Sequence, residues 1–133
     1  MTKLLLLSCA LALGACAMNE PVDDGPDAES RLAAELKGYR VDGPPQSCVT
    51  LSQLRGNRSV GEGAIVFDGA GRKWVNRPSG GCPTLNFGRS LQVKTSSSQL
   101  CRGDIATVIE PSWGGEFGSC ALGDFEPYRR VRG

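Results

Sequence analysis

Residues 64–75 read Ala64-Ile65-Val66-Phe67-Asp68-Gly69-Ala70-Gly71-Arg72-Lys73-Trp74-Val75. Two runs rich in β-forming residues lie on either side of a turn sequence that begins with Asp-Gly. Asp-Gly between such runs is a strong signal for a β-hairpin. The sequence therefore predicts a strand over 64–67, a turn over 68–71 and a second strand over 72–75.

Three other segments also have strand patterns. Residues 91–94 alternate apolar and polar side chains, as a half-buried strand does. Residues 105–109 form a run typical of a central strand, and residues 117–122 follow a Gly-Gly turn. We also expect one helical turn over 50–55. The predicted fold is mostly β: a small antiparallel barrel or sandwich of five to six short strands, joined by disulfides, over residues 48–133.

Length and composition fit one small globular domain. The chain has 133 residues, with 18 glycines, 8 prolines, six cysteines and no histidine. The charged share of 22% and hydrophobic share of 40% exclude a membrane bundle and a wholly disordered chain. The missing histidine excludes His-based catalytic triads, His-containing zinc sites and haem with an axial histidine.

The N terminus predicts a lipoprotein signal peptide over residues 1–15. Lys3 precedes an apolar run, 4–13, whose roughly ten residues are too few to span a bilayer. Leu13-Gly14-Ala15-Cys16 resembles a bacterial lipobox, in which the cysteine thiol receives the lipid. Two or more acyl chains anchor a protein stably, so we expect the membrane to be a partner through Cys16. The alternative is an ordinary signal peptide with an incidental cysteine.

Residues 16–47 predict a disordered, acidic and proline-rich tether beyond the lipidated cysteine. Residues 17–47 hold seven acids and three bases, too polar a composition to bury an apolar core. A short helix is predicted within it, over 27–37, because Leu32, Leu36 and Tyr39 share one helical face. This apolar stripe either docks on the β domain or is too short to persist alone. By resemblance to enterobacterial sorting rules, Ala17 favours the outer membrane, with the domain in the periplasm.

Four cysteines remain in the β domain, and in an exported protein they predict disulfides. Their spacings lack the close pairs that zinc and redox sites use, so we predict no metal and no cofactor. Three pairings are possible. We favour Cys82–Cys101, because the chain can fold back locally, and Cys48–Cys120, which would join the first and last strands.

No catalytic residue is assigned, and we expect no enzymatic activity. The candidate binding residues are arginines, since residues 48–133 carry 11 bases and 7 acids. A guanidinium binds planar anions through a fixed fork of donors. Arg58, Arg72 and Arg77 form the candidate anion site because the first hairpin brings their strands together, although strand alternation could also scatter them. Trp74 is expected in the core, and Trp113 is the better candidate for an exposed aromatic.

Four cysteine motifs carry a family resemblance: Cys48-Val49-Thr50-Leu51 with Arg55; Trp74-Val75-Asn76 leading to Cys82-Pro83-Thr84-Leu85; Leu100-Cys101-Arg102-Gly103-Asp104; and Cys120-Ala121-Leu122-Gly123-Asp124-Phe125-Glu126-Pro127. Over residues 46–128 the chain resembles a family of small four-cysteine proteobacterial envelope lipoproteins known only as a domain of unknown function. The resemblance implies an envelope location. It brings no activity, ligand or catalytic residue.

These observations predict a lipid-anchored bacterial envelope protein that acts as a non-enzymatic binding or structural module. The expected partner is an anionic envelope component or an envelope protein, and not a nucleic acid. The alternative hypothesis is a periplasmic inhibitor of a lysozyme-like or other hydrolase, which rests on the similar architecture of small disulfide-linked β domains. The sequence indicates no oligomeric state.

Overall fold

The structure, a computed structural model, describes residues 25–86 and 88–132. The predicted signal peptide, the predicted lipidation residue Cys16 and the first part of the predicted tether lie outside the described residues. One helix, one 3-10 turn and ten strands are described: α1 (Gly25–Glu35), β1 (Tyr39–Val41), β2 (Cys48–Thr50), the 3-10 turn (Leu51–Gln53), β3 (Gly56–Ser59), β4 (Ile65–Gly69), β5 (Arg72–Asn76), β6 (Ser90–Val93), β7 (Gln99–Cys101), β8 (Ile105–Ile109), β9 (Glu116–Ala121) and β10 (Phe125–Arg130).

The strands form three antiparallel sheets. The largest has the order β1-β10-β5-β4-β3, the second pairs β2 with β7, and the third has the order β6-β8-β9. The prediction of a mostly β, antiparallel fold is confirmed. The prediction of a closed barrel is wrong, because the three sheets do not join into a closed ring. The strand number was also underestimated, since strands of three residues such as β2 and β7 are too short to show alternation.

The predicted hairpin is confirmed as β4 and β5. Phe67 lies opposite Trp74, and Gly69 lies opposite Arg72, so two residues make the turn. Gly71 occupies the left-handed region, with φ of 65°, which glycine adopts without a steric penalty. Phe67 and Trp74 are both 2% exposed, and this confirms Trp74 as a core residue.

The five-stranded sheet is apolar on both faces. One face carries Phe67, Trp74 and Phe125 into a core that the other two sheets complete. The other face carries a smaller cluster, Val60, Ala64, Val66 and Val75, covered by Leu32 and Leu36 at and just beyond the end of α1 and by Tyr128 of β10. The helix and the two smaller sheets therefore cover opposite faces of the largest sheet.

The predicted boundary at residue 48 is wrong, because residues 25–47 belong to the fold. The helix predicted over 27–37 is confirmed with slightly earlier bounds, and Leu32 and Leu36 of its predicted apolar stripe dock on the sheet. Tyr39, the third residue of that stripe, lies in β1 and not on the helix. β1 then adds to the sheet edge, with Tyr39 opposite Arg130 and Val41 opposite Tyr128. The composition of this segment could not show the docking, since the apolar surface that receives the helix comes from distant residues.

All four domain cysteines form disulfides, as predicted, but the predicted pairing is wrong. Cys82–Cys101 and Cys48–Cys120 do not form; Cys48 is joined to Cys101 and Cys82 to Cys120. β2 and β7 are antiparallel neighbours with Cys48 directly opposite Cys101, which leaves Cys82 for Cys120 in the larger core. With sequence separations of 53 and 38, each disulfide is worth about 4 kcal/mol on the chain-entropy model.

Two asparagine side chains add hydrogen bonds beyond the backbone ladders of the sheets. The Asn57 amide donates to the Leu91 carbonyl at 3.0 Å, and the Leu91 N–H donates back to the Asn57 amide oxygen at 2.9 Å. Asn76, fully buried, makes the same two bonds with Gly123, at 2.8 and 2.9 Å. Each asparagine bridge therefore satisfies one backbone donor and one backbone acceptor at once.

Replacing Asn76 with alanine leaves the N–H and the carbonyl of the half-buried Gly123 without their partner. Each unsatisfied group costs about 1–3 kcal/mol, so we expect Asn76→Ala to lower the free energy of unfolding by about 2–4 kcal/mol. Urea denaturation measures this value. Asn86→Ala, at an exposed position, is the control and should change it by less than about 0.5 kcal/mol. Equal midpoints for the two variants would show that the Asn76 bridge contributes no stability.

Candidate functional site

The structure separates the three arginines predicted to form an anion site. Arg58 lies opposite Val66, which lies opposite Val75, so these residues share the face that α1 covers. Arg72 lies three positions before Val75 on β5, so alternation places it on the other face. Arg77 follows the far end of β5, about 17 Å along the strand from Arg72. The predicted Arg58–Arg72–Arg77 site is therefore wrong.

Each of these arginines is paired with a different carboxylate. Arg58 contacts Glu35 at 2.6 Å and Asp68 at 2.9 Å. Arg72 lies 3.9 Å from Asp42. Arg77 lies 3.3 Å from Glu126. No common counter-charge brings the three together.

A cleft of about 390 Å³ lies between α1, β3 and the segment that leads into β6. Arg58 is the one predicted residue that lines it. Its walls come from three segments that are far apart in sequence, with these lining residues: Arg31, Ala34, Glu35, Arg58, Ser59, Val60, Gly88, Arg89 and Ser90. The lining carries three arginines and one carboxylate. Asp68 also contacts Arg58, so three guanidinium groups face two carboxylates, and the remaining positive charge favours an acidic ligand.

Hydrogen bonds and a ring contact hold the wall formed by residues 88–90. The Ser59 hydroxyl, on a residue that is 4% exposed, lies within hydrogen-bond reach of the carbonyls of Asn86 and Arg89. The Arg89 guanidinium stacks 3.7 Å from the centre of the Phe117 ring and donates to the Thr84 carbonyl at 2.8 Å. The wall is therefore attached to β3 on one side and to β9 on the other.

Lys73 of β5 attaches the end of α1 to the largest sheet. Its side chain is 11% exposed, and its ammonium donates to the Glu35 carbonyl at 2.7 Å. The same ammonium lies 3.4 Å from the Glu35 carboxylate, 3.7 Å from Asp68 and 4.9 Å from the centre of the Tyr39 ring. A cation at a helix C-terminus also interacts favourably with the helix dipole.

Sequence reasoning missed this cleft. It selected Arg58 for its charge but did not connect Arg31 and Arg89 with it. Patterns in sequence report local structure, and no local signal shows that α1 packs beside β3 and the residues before β6.

Trp113 is exposed, as predicted, at 70% of its surface. It lies in the turn between β8 and β9. Its ring meets Phe117 edge to face, with 5.9 Å between centroids, and lies across Gly115 so closely that a Cβ there would overlap it. Trp113 is therefore a surface aromatic held in place from one side.

Within residues 25–86 and 88–132, no three metal-ligating side chains gather at one place. No described helix has both the length and the apolar character needed to cross a membrane.

Comparisons with known proteins add no relative. Neither a protein-family model, nor a curated protein, nor a solved structure matches this chain. The resemblance to the four-cysteine envelope lipoproteins therefore stays an expectation from the sequence motifs.

Replacing Lys73 with methionine tests how α1 is attached to the cleft. We expect Lys73→Met to lower the free energy of unfolding by about 1.5–3 kcal/mol, the usual contribution of a hydrogen bond to a charged donor. It should also speed amide hydrogen exchange in α1. Lys94→Met, at an exposed position, is the matched control and should leave both quantities unchanged. Unchanged exchange in α1 for Lys73→Met would show that the helix is held by its apolar contacts alone.

Proposed function

We propose that the protein is a lipid-anchored bacterial envelope protein whose β domain is a non-enzymatic binding module for a small anionic ligand. The observation that carries the binding role is the cleft between α1 and β3. Its volume of about 390 Å³ falls within the range of small-molecule sites. Its walls are held by the Ser59 and Lys73 contacts, so the cleft is formed before a ligand arrives.

The charge of the cleft supports an acidic ligand. Glu35 and Asp68 occupy the Nε and Nη2 atoms of Arg58, which leaves its Nη1 atom for a ligand. Ser90 adds a hydroxyl group, while Ala34 and Val60 supply apolar surface. A carboxylate-bearing sugar or a similarly compact acid has both the charge and the apolar ring face that such a lining recognises.

The two disulfides support an extracytoplasmic location. Disulfides persist in oxidising compartments and are rare in the cytosol. The lipobox at residues 13–16 supports attachment to the membrane through Cys16, and the periplasmic side of the outer membrane is the location that Ala17 favours. The location and the binding role rest on different observations, and the two experiments below test them separately.

Filling the cleft tests the binding role. Ala34→Trp places an indole in the cleft, whereas Ala33→Trp places it on the exposed helix surface beside it, at the same cost in helix propensity. Saturation-transfer NMR with N-acetylmuramic acid and galacturonic acid as probes should show binding to the unmodified protein and to Ala33→Trp, with loss of signal for Ala34→Trp. Binding that survives Ala34→Trp would place the ligand elsewhere, and no binding to the unmodified protein would contradict the proposed ligand class.

Replacing the lipidated cysteine tests the anchor. Cys16→Ser should leave the chain unprocessed or release it from the membrane, because the lipid has no acceptor thiol. Cys9→Ser, inside the predicted signal peptide, is the control and should leave processing unchanged. Membrane fractionation and the mass of the mature N-terminal peptide report both results. Cys16→Ser protein that remains with the outer membrane after a high-salt wash would mean that the anchor is a different part of the chain.

A further inference from the structure

We propose that Arg40, Arg72 and Arg129 form a binding site for the phosphate groups of anionic lipids at the membrane surface. These residues lie on three neighbouring strands of the largest sheet. Arg40 on β1 is directly opposite Arg129 on β10, and Arg129 is directly opposite Arg72 on β5. Residues directly opposite each other share one face, so the three side chains form a row, called here the arginine row.

The arginine row leaves positive charge without an internal partner. Like charges directly opposite on neighbouring strands destabilise a sheet. Asp42 is the one carboxylate that the described structure places against the row, with its oxygens 3.9 Å from Arg72 and 3.8 Å from Arg129. Arg40 is exposed and has no ion pair or side-chain hydrogen bond among the described residues. Three guanidinium groups and one carboxylate leave a net charge of +2, which an anion from outside would neutralise.

The dimensions and exposure of the row fit a layer of phosphates better than an enclosed ligand. Neighbouring strands are about 4.8 Å apart, so the three backbone positions span about 10 Å. The side chains of Arg72 and Arg129 are 51% and 50% exposed, and the row lies on open surface away from the cleft. Guanidinium groups bind phosphate oxygens through two parallel hydrogen bonds.

An exposed apolar residue lies beside the row. The Val131 amide donates to the Gly38 carbonyl at 2.8 Å, which continues the β1–β10 pairing beyond the strand ends. Val131 is two positions from Arg129, so alternation places it on the face of the row, where it is 46% exposed. Basic side chains next to an exposed apolar one are the combination that binds anionic membrane interfaces.

The choice of a membrane surface rests on the proposed lipid anchor. Eight residues, 17–24, separate Cys16 from the start of α1 at Gly25, and the nine Cα–Cα steps between them span at most about 32 Å. An anchored protein would therefore hold its folded part within reach of the headgroups, where each basic residue is attracted by the negative surface.

Arginine side-chain NMR on the full chain tests this proposal. The chain is held in phosphatidylcholine bicelles, and a quarter of that lipid is then replaced by phosphatidylglycerol. When phosphatidylglycerol is added, we expect the Nε–Hε signals of Arg40, Arg72 and Arg129 to shift. The signals of Arg77 and Arg102 should keep their chemical shifts. The shifts should shrink between 0.01 M and 0.15 M salt, because the Debye length falls from about 30 Å to about 8 Å.

Matched double variants and a soluble probe make the outcome specific. Arg72→Gln with Arg129→Gln should abolish the response of Arg40. Arg77→Gln with Arg102→Gln removes the same charge from two exposed arginines that also face carboxylates. This control variant should keep the response of Arg40. Equal shifts at all arginines, or none at the row, would overturn the proposal, as would an equal response to inorganic phosphate in neutral bicelles. The mass of the Cys16 peptide from the same sample reports lipidation independently, so a failed anchor and a failed arginine row give different results.

Discussion

The Cys82–Cys120 disulfide joins the irregular segment between β5 and β6 to β9 inside the larger core. The described residues of that segment form no strand, so they lack the ladder of backbone hydrogen bonds that holds the rest of the chain. Cys82 is fully buried, and its N–H donates to the Glu62 carbonyl at 2.7 Å. Thr84 then bonds the Phe117 carbonyl, and Arg89 stacks on the Phe117 ring. This covalent attachment positions the residues 88–90 that form one wall of the cleft.

The largest sheet determines the distribution of charge. Its two faces are both apolar near the centre, one packed under α1 and the other under the smaller sheets. Alternation along β5 then sends Lys73 toward α1 and Arg72 toward the opposite face. The cleft and the arginine row consequently belong to different faces of the same sheet, so a ligand in the cleft and a membrane against the row would not compete for space.

Local patterns predicted much of the secondary structure. The Asp68-Gly69 hairpin, the strands near 91–94, 105–109 and 117–122, and the helix in the acidic segment all have signals within a few residues of sequence. β1 and β10 were missed because an edge strand and a Pro-containing strand show weak alternation. The signal that favoured the Arg58–Arg72–Arg77 site was positive charge on and next to the first hairpin. The strand register was needed to show that Arg72 and Arg58 lie on opposite faces of the sheet.

The disulfide pairing and the cleft could not be predicted, because both depend on contacts between distant segments. The short separation of Cys82 and Cys101 in sequence favoured a disulfide between them. However, β2 and β7 form their own sheet and place Cys48 opposite Cys101. Peptide mapping without reduction, on protein from cells lysed with a thiol-blocking reagent, tests this most directly. The account predicts that the peptide with Cys82 is linked to the one with Cys120, and Cys48 to Cys101. Free thiols at Cys82 and Cys120, or a link between Cys82 and Cys101, would contradict it.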